Sequence, residues 1–438
     1  MKGIVRFFVV VMQRYLPDPL IFALLLTFVT VISALALTSS GLMDLINMWG
    51  NGLWGILGFA MQMALIVICG SAMAQSKPFR AFLGSWAGLA KNNQQAAMLC
   101  CVTCLICSFI NWGFGLVATA LVARELARRV PRMDYGYVVG CGYSGYVIWH
   151  MGLSGSIPLA IATPGHIVEK LIGLIPTSQT IFSSWNLLTY GLIFVTLPIL
   201  CKMMAPADNE IKIADPTLLE DAPEIPEPVN KTPAEKLEYS RTITYILCAM
   251  GFAYLGYYFY TKGFELTLNI VIFVFLIVGM LLHRTPISYM RAANEAASSV
   301  GGIAIQFPLY GGIQGILINS GLAALIAKGF ISISTVKTFP LLTFLSAGIV
   351  NIFVPSGGGQ WIVQGPVNIP AALEIGANPA VVAMAIAWGD SWTNLIQPFW
   401  ALPLLAVAKL GIRDIMGYCV LSLIWSGIVM CFGMYFLT

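Results

Sequence analysis

The sequence predicts an all-α polytopic membrane protein built from two inverted repeats, each holding a re-entrant hairpin and a broken transmembrane helix. Three observations carry this reading. Of 438 residues, 58% are hydrophobic and only 10% charged, where a soluble domain carries about a quarter charged residues. Mean hydropathy is +0.84, more apolar than soluble cores of this length require. Two long apolar stretches, 95–122 and 340–373, are interrupted midway by Gly- and Pro-rich segments, and lipid cannot satisfy the backbone groups that such breaks release.

A span needs about 20 apolar residues. Stretches of that kind run over 20–38, 54–75, 135–163, 184–201, 242–260, 266–283, 298–319, 379–408 and 415–437. Ahead of them, Lys2, Arg6 and Arg14 flank a short apolar run that ends at Pro17-Asp18-Pro19. No small-residue cleavage site follows, so this is expected to be an amphipathic surface segment, not a cleaved signal.

Flanking charge decides how the interrupted stretches run. Lys77, Arg80 and Lys91 precede the break at Asn111-Trp112-Gly113-Phe114-Gly115, and Arg124, Arg128, Arg129 and Arg132 follow it. Both flanks are therefore expected on the cytoplasmic side, and the stretch must enter and return. The second break, Pro355-Ser356-Gly357-Gly358-Gly359-Gln360, lies between Lys337 and Glu374 and is expected to open to the outside. With both stretches as hairpins, the N-terminus is cytoplasmic, the C-terminus external, and only Lys170, Lys262, Lys328 and Lys337 of the 23 basic residues lie outside.

The formal charge of +4 hides an uneven distribution. Residues 202–241 hold 9 of the 19 acidic residues and six prolines, the composition of a disordered cytoplasmic linker. The remaining basic residues sit in short clusters that orient helices, and no nucleic-acid surface is implied. Cys100, Cys101, Cys104 and Cys107 share a helical stripe, but thiolate ligation inside an apolar helix lacks a polar second shell. They read as small packing residues.

The chain thus divides into a first repeat over 1–201, the linker 202–241, a linking span over 242–265, and an inverted second repeat over 266–438. Ser108-Phe109-Ile110-Asn111 aligns with Gly348-Ile349-Val350-Asn351. After each hairpin comes a span broken in the middle, one through Tyr143–Pro158 and one through Trp388–Pro403, and the alignment pairs Pro158-Leu159 with Pro403-Leu404. Paired interruptions in opposed halves point to a transporter site near the bilayer midplane. The N–H groups of a half-helix start suit a carboxylate, and the C=O groups of a half-helix end suit a cation.

The expected substrate lining is Asn111, Gly113 and Gly115 at the first tip, and Asn351, Ser356, Gly357, Gly358, Gly359 and Gln360 at the second. Ser144, Ser154, Ser156, Thr393, Asn394 and Gln397 join it from the broken spans. None of these segments holds Lys or Arg, which suits one carboxylate and not two or three. Trp112, Phe114, Trp149, Trp388, Trp392, Phe399 and Trp400 are at hand to enclose a short apolar tail. Asp390 is the one carboxylate expected at mid-depth, where it must be paired, ion-bound or protonated. It is the first candidate for the coupling ion, H⁺ or Na⁺, and His150 in the opposed broken span is the second. No cofactor or metal centre is expected.

The stretches Ile110–Leu116, Val354–Gly359 and Gln397–Pro403 resemble the bacterial short-chain fatty acid transporter family (AtoE type), and the resemblance extends over essentially the whole chain. It implies membership of the ion-transporter superfamily, with an elevator-like movement of a transport domain. It also implies a homodimer in the inner membrane that takes up monocarboxylates such as acetoacetate or butyrate, and it implies no enzyme activity. Dicarboxylate relatives carry Ser-Asn-Thr at both tips; Asn111-Trp112-Gly113 and Ser356-Gly357-Gly358 stand here, so that clamp is not carried over. Three alternatives stay open: another small organic anion, a channel, or an intramembrane serine hydrolase using Gly152-Leu153-Ser154-Gly155. The topology is tested by single cysteines at Ser334 and Arg132: a membrane-impermeant thiol reagent is expected to label Ser334→Cys from outside and Arg132→Cys only from inside.

Overall fold

The computed structural model describes residues 19–438 apart from 208, 210, 220–227, 299 and 355. The expected amphipathic segment through Lys2, Arg6, Arg14 and Asp18 lies outside the described residues. All regular structure among the described residues is helical. The chain opens with α1 (Pro19–Leu37), a short α2 (Leu42–Gly52), α3 (Leu57–Ala74) and a short α4 (Lys77–Ala87). Two facing arms follow, α5 (Asn93–Ile110) and α6 (Trp112–Arg129), joined by Asn111 alone. Then comes a span in pieces, α7 (Tyr135–Ser144), a 3-10 turn (Gly145–Met151) and α8 (Ser156–Ile161), before the continuous α9 (Ser184–Met203).

After a solitary α10 (Arg241–Lys262) the same order returns. It runs α11 (Leu268–His283), a short α12 (Pro286–Ala297), α13 (Gly301–Asn319) and a short α14 (Leu322–Ser332). The second pair of arms is α15 (Phe339–Phe353) and α16 (Gly357–Ile375). A second interrupted span, α17 (Pro379–Thr393), a 3-10 turn (Asn394–Ile396) and α18 (Pro398–Ala408), leads to α19 (Ile412–Phe432). The four short helices α2, α4, α12 and α14 are additions to the sequence reading. At 11 or 12 residues they are too short to register as spans, yet they fall at matching places in the two halves.

Packing follows the same symmetry. Helix α3 lies against α11 and α12, while α13 lies against α1 and α2. Each half thus lends its third helix to the other half's first pair. The close approach of α13 and α2 is made by glycine on both sides: a Cβ on Gly52 would fall 2.4 Å from the Gly311 carbonyl, and one on Gly315 would fall 2.4 Å from the Met48 carbonyl. Both breaks are flanked by helix caps that the sequence supplies. Asn111 Oδ1 accepts the Phe114 N–H (2.9 Å) and Ser356 Oγ the Gly359 N–H (3.2 Å).

The two arms of the first stretch pack against each other. Cys100 Sγ on α5 donates to the Thr119 carbonyl on α6 (3.8 Å), and Ser108 sits directly against Gly115. This explains the cysteine stripe: Cys100, Cys101 and Cys104 are fully buried small side chains in the α5–α6–α7 contact. The second stretch also returns on itself, with Gln360 Nε2 donating to the Ala347 carbonyl (2.8 Å). The two tips are not built alike, however. Asn111 is the hinge itself, whereas Asn351 lies inside α15, a turn before the break, and the structural counterpart of Asn111 is Ser356. The alignment of Asn with Asn is therefore one of sequence only.

The linker also departs from expectation. Lys212 N–H donates to Asp134 Oδ2 (2.9 Å), Tyr135 N–H donates to the Lys212 carbonyl (3.2 Å), and the Arg124 and Arg128 guanidinium groups donate to the Leu219 carbonyl. Charged side chains at the hairpin's end supply the partners that composition alone does not reveal. Farther on, Thr232 and Glu235 form a capping box for Pro233–Glu238, and the Thr232 hydrogen bonds hold the Glu235 carboxyl below its usual range.

Gly115 emerges as a packing residue. A Cβ there would lie 2.1 Å from Ser108 Oγ and 2.7 Å from Ser108 Cα. Gly115→Val is expected to destabilise the protein by about 1–3 kcal/mol, read as a lowered thermal midpoint in detergent.

Candidate functional site

Each interruption releases backbone groups, and tracing where they go builds the site. At the first break, Leu153 N–H donates to the Phe109 carbonyl (2.6 Å) and Trp112 N–H donates to Ser154 Oγ (2.9 Å). The first hairpin tip and the first broken span are thus stitched together. Gly152 permits this, since a Cβ there would lie 2.2 Å from the Phe109 carbonyl oxygen. Ile157 N–H, in the first turn of α8, donates to His150 Nε2 (3.2 Å).

At the second break the donors are side chains. Asn351 Nδ2 donates to the Asp390 carbonyl (2.8 Å) and to Thr393 Oγ1 (2.9 Å). The Thr393 hydroxyl lies 3.0 Å from the Gly348 carbonyl and 3.2 Å from that of Gly389, and Gln397 Nε2 donates to the Asn351 carbonyl. The sequence reading expected carbonyls at this half-helix end to face a cation. Amides and hydroxyls from neighbouring side chains occupy them instead.

Contacts then cross between the repeats. His150 Nδ1 lies 3.0 Å from Asp390 Oδ2, with both side chains fully buried. Trp149 stacks on the His150 imidazole at 3.9 Å between centroids and donates its Nε1–H to Asn394 Oδ1 (2.9 Å). Tyr143 Oη donates to the Asn394 carbonyl (2.8 Å), and Trp388 Nε1 donates to Asn186 Oδ1 (3.1 Å). Trp112, Trp149 and Trp400 form a triangle with centroids 5.4–5.8 Å apart, favourable edge and offset geometries. The second tip closes on the first broken span: a Cβ on Gly357 would fall 2.5 Å from His150 Cε1.

Where these parts converge is a cavity of about 320 Å³. Trp112 from the first tip, Ser356, Gly357 and Gly358 from the second, Ser156 at the start of α8, and Trp400, Leu402, Pro403 and Ala406 of α18 line it. The remaining wall is Met63 and Val67 of α3 with Ile303, Gln306 and Phe307 of α13. Among the described residues, no ionisable side chain borders it. Gly357 and Gly358 are the first two residues of α16, so their N–H groups have no helix carbonyl one turn back to bond.

Of the residues expected to line a site, Ser156, Ser356, Gly357 and Gly358 border this cavity. The others stand behind it. Asn111, Ser154, Asn351, Gln360, Thr393, Asn394 and Gln397 hold the breaks together, and Gly113 packs near Ser71. Gly359 lies against Tyr310, and Ser144 Oγ donates within its own helix to Gly140 (2.9 Å). Among the aromatics, Trp112 and Trp400 face the cavity. Phe114 packs on Phe79 (4.6 Å), Trp392 Nε1 donates to the Leu423 carbonyl (2.7 Å), and the Phe399 side chain lies outside the described atoms. The α3 and α13 wall was missed. Its one sequence signal is Gln306, a polar residue within an apolar span.

The serine hydrolase alternative meets a specific obstacle. His150 pairs with an aspartate as a catalytic histidine does, but its other nitrogen accepts the Ile157 N–H, and Ser154 Oγ accepts from Trp112. His150 therefore has no nitrogen left to take a proton from Ser154.

Broken spans, paired hairpins and an uncharged central cavity define a multi-pass membrane transporter, and comparison with solved structures agrees at the level of fold. The Alcanivorax borkumensis YdaH transporter matches with TM-score 0.53 at 16% identity, over 96% of this chain and 97% of its own. Neisseria gonorrhoeae MtrF, described among antimetabolite efflux pumps, matches with TM-score 0.55 at 15% identity, over 98% and 97%. The sequence profile described as "Short chain fatty acid transporter" matches residues 1–437. The chain belongs to this family. Two relatives named for short-chain fatty acid transport are each 47% identical, one from Escherichia coli (strain K12) over 98% of both chains and one from Haemophilus influenzae (strain ATCC 51907 / DSM 11121 / KW20 / Rd) over 99% of both.

The Trp149–Asn394 bond joins the two repeats in a buried setting. Trp149→Phe leaves Asn394 Oδ1 without its donor, and a loss of about 1–3 kcal/mol is expected in thermal unfolding of the purified protein.

Proposed function

We propose that this chain is a secondary active transporter that moves short-chain monocarboxylates of the acetoacetate and butyrate kind across the bacterial inner membrane by alternating access. The observation that carries the reading is the uncharged cavity where both hairpin tips and both broken spans meet. One carboxylate is met there by the Gly357 and Gly358 N–H groups and the Ser156 and Ser356 hydroxyls, with the short tail against Trp112, Trp400 and Met63. A second carboxylate would be left without a counter-charge, which is expensive in a buried site.

The movement proposed is elevator-like. The hairpins and broken spans form one unit, held by the backbone stitching at each break and by the His150–Asp390 and Trp149–Asn394 contacts. They meet α3 and α13 mainly through apolar side chains and glycines, with one hydrogen bond from Asn111 Nδ2 to the Ile66 carbonyl (3.3 Å) that movement would have to break. Re-entrance of the hairpins, opposite orientation of the repeats and coupling to H⁺ or Na⁺ belong to the same proposal. Export of the same acids by the same route is set by gradients and needs no other site.

The test is counterflow of labelled acetoacetate and butyrate in proteoliposomes, with pH and Na⁺ gradients imposed separately. Saturable counterflow supports a carrier, and flux unaffected by substrate on the far side would make the protein a channel. Each buried CH₂ is worth about 0.8 kcal/mol, or about fourfold in affinity. Trp400→Ala enlarges the cavity, and in competition assays the preference for hexanoate over butyrate is expected to rise by about fourfold for each extra methylene accommodated.

A further inference from the structure

The His150–Asp390 pair lies one residue behind the cavity wall, and its hydrogen bonds define which atoms can bind an ion. His150 Nε2 accepts the Ile157 N–H (3.2 Å), so the ring proton belongs on Nδ1, which faces Asp390 Oδ2 at 3.0 Å. The imidazole is therefore neutral and fully used. Asp390 Oδ1, by contrast, is buried and without a partner.

The backbone carbonyls around Asp390 already accept hydrogen bonds. Its own carbonyl and that of Asn351 are taken by side-chain amides, that of Asn394 by Tyr143 Oη, and those of Gly348 and Gly389 face the Thr393 hydroxyl. Hard cations gather about six or more oxygen ligands, whereas a proton needs one lone pair. The Asn351 amide, already bonded to the Asp390 carbonyl, has an unpartnered Oδ1 of its own.

Building on the transporter reading above, we propose that the coupling ion is a proton, that Asp390 Oδ1 carries it, and that His150 is a positioning residue that holds the carboxyl. A proton from the more acidic side adds to Oδ1, taking the side chain from −1 to neutral, and it leaves to water on the other side. The pair communicates with the cavity through Gly357, whose Cα borders the substrate space and lies against His150 Cε1. Displacement of the second tip therefore acts on the imidazole that orients Asp390.

The ionisable groups facing Asp390 from the first 3-10 turn are His150 and Tyr146. Helices α8, α15 and α18 contribute none, and α16 has only Glu374 in its last turn. Helix α19 carries Arg413, Asp414, Tyr418, Cys419 and Cys431.

The experiment uses purified full-length protein in proteoliposomes, with acetoacetate as substrate and protein-free vesicles subtracted, because weak acids also cross lipid unaided. Wild type is expected to concentrate acetoacetate when the outside is acidic and to ignore an inward Na⁺ gradient at equal pH. Asp390→Asn, a permanent mimic of the protonated state, is expected to lower pH-driven accumulation at least tenfold more than it lowers counterflow. His150→Asn places an amide donor where Nδ1 stood and is expected to keep pH-driven accumulation.

Accumulation driven by Na⁺ alone overturns the proposal, as does an Asp390→Asn protein that still responds to pH. Loss of the pH response in His150→Asn with counterflow retained would move the proton to the imidazole and likewise overturns it. If either variant fails to fold, acetoacetate-dependent alkalinisation outside wild-type vesicles decides, and its absence is fatal to the inference. Wild type without counterflow of acetoacetate or butyrate instead defeats the transporter reading, and the inference falls with it; counterflow without proton coupling defeats the inference alone.

Discussion

Main-chain groups inside lipid have no water to bond, and the arrangement of this protein follows from that constraint. Four interruptions set backbone N–H and C=O groups loose at depth, and nearly every polar side chain in the region serves one of them. Ser154, Asn111 and His150 answer the first half; Asn351, Thr393, Gln397 and Tyr143 answer the second. Because partners come from neighbouring breaks, including the opposite repeat, the interruptions hold one another in place. Unwound chain is stable here only as a set.

This explains why the cavity is chemically sparse. Polar side chains spent on backbone are no longer offered to a ligand, and what borders the space is glycine, two serines, tryptophan and aliphatic groups. In the proposed function a carboxylate would be met there by main-chain N–H groups, with discrimination by the fit of a short tail. Trp112, Trp149 and Trp400 pack edge to face and tilted against one another there.

Much of the architecture was legible because lipid imposes simple rules. Apolar length marked the spans, and Gly and Pro marked the breaks; the two arms within 95–122 pack against each other through the Cys100–Thr119 contact. The short helices were not legible, since 11 residues of mixed polarity such as Lys77–Ala87 resemble any loop. Within the site, residue type pointed to the correct segments but not to the roles. A buried asparagine reads alike whether it meets a ligand or, like Asn351, a carbonyl. Asp390 and His150 stood out individually, but their contact depends on two helices 240 residues apart, and no periodicity encodes that. Met63 and Phe307 were invisible for a plainer reason: they are apolar residues in apolar spans.

The exchanged packing of α3 onto α11–α12 and of α13 onto α1–α2 bears on how such a chain is made. When the first half leaves the ribosome, the α11–α12 surfaces that will also cover α3 have not yet been synthesised. Gly52 at the end of α2 must wait in lipid for Gly311 and Gly315. Membrane insertion can therefore proceed helix by helix, but final assembly is a late event that begins only once α13 has been delivered, and neither half expressed alone has the neighbours it needs to reach its mature form.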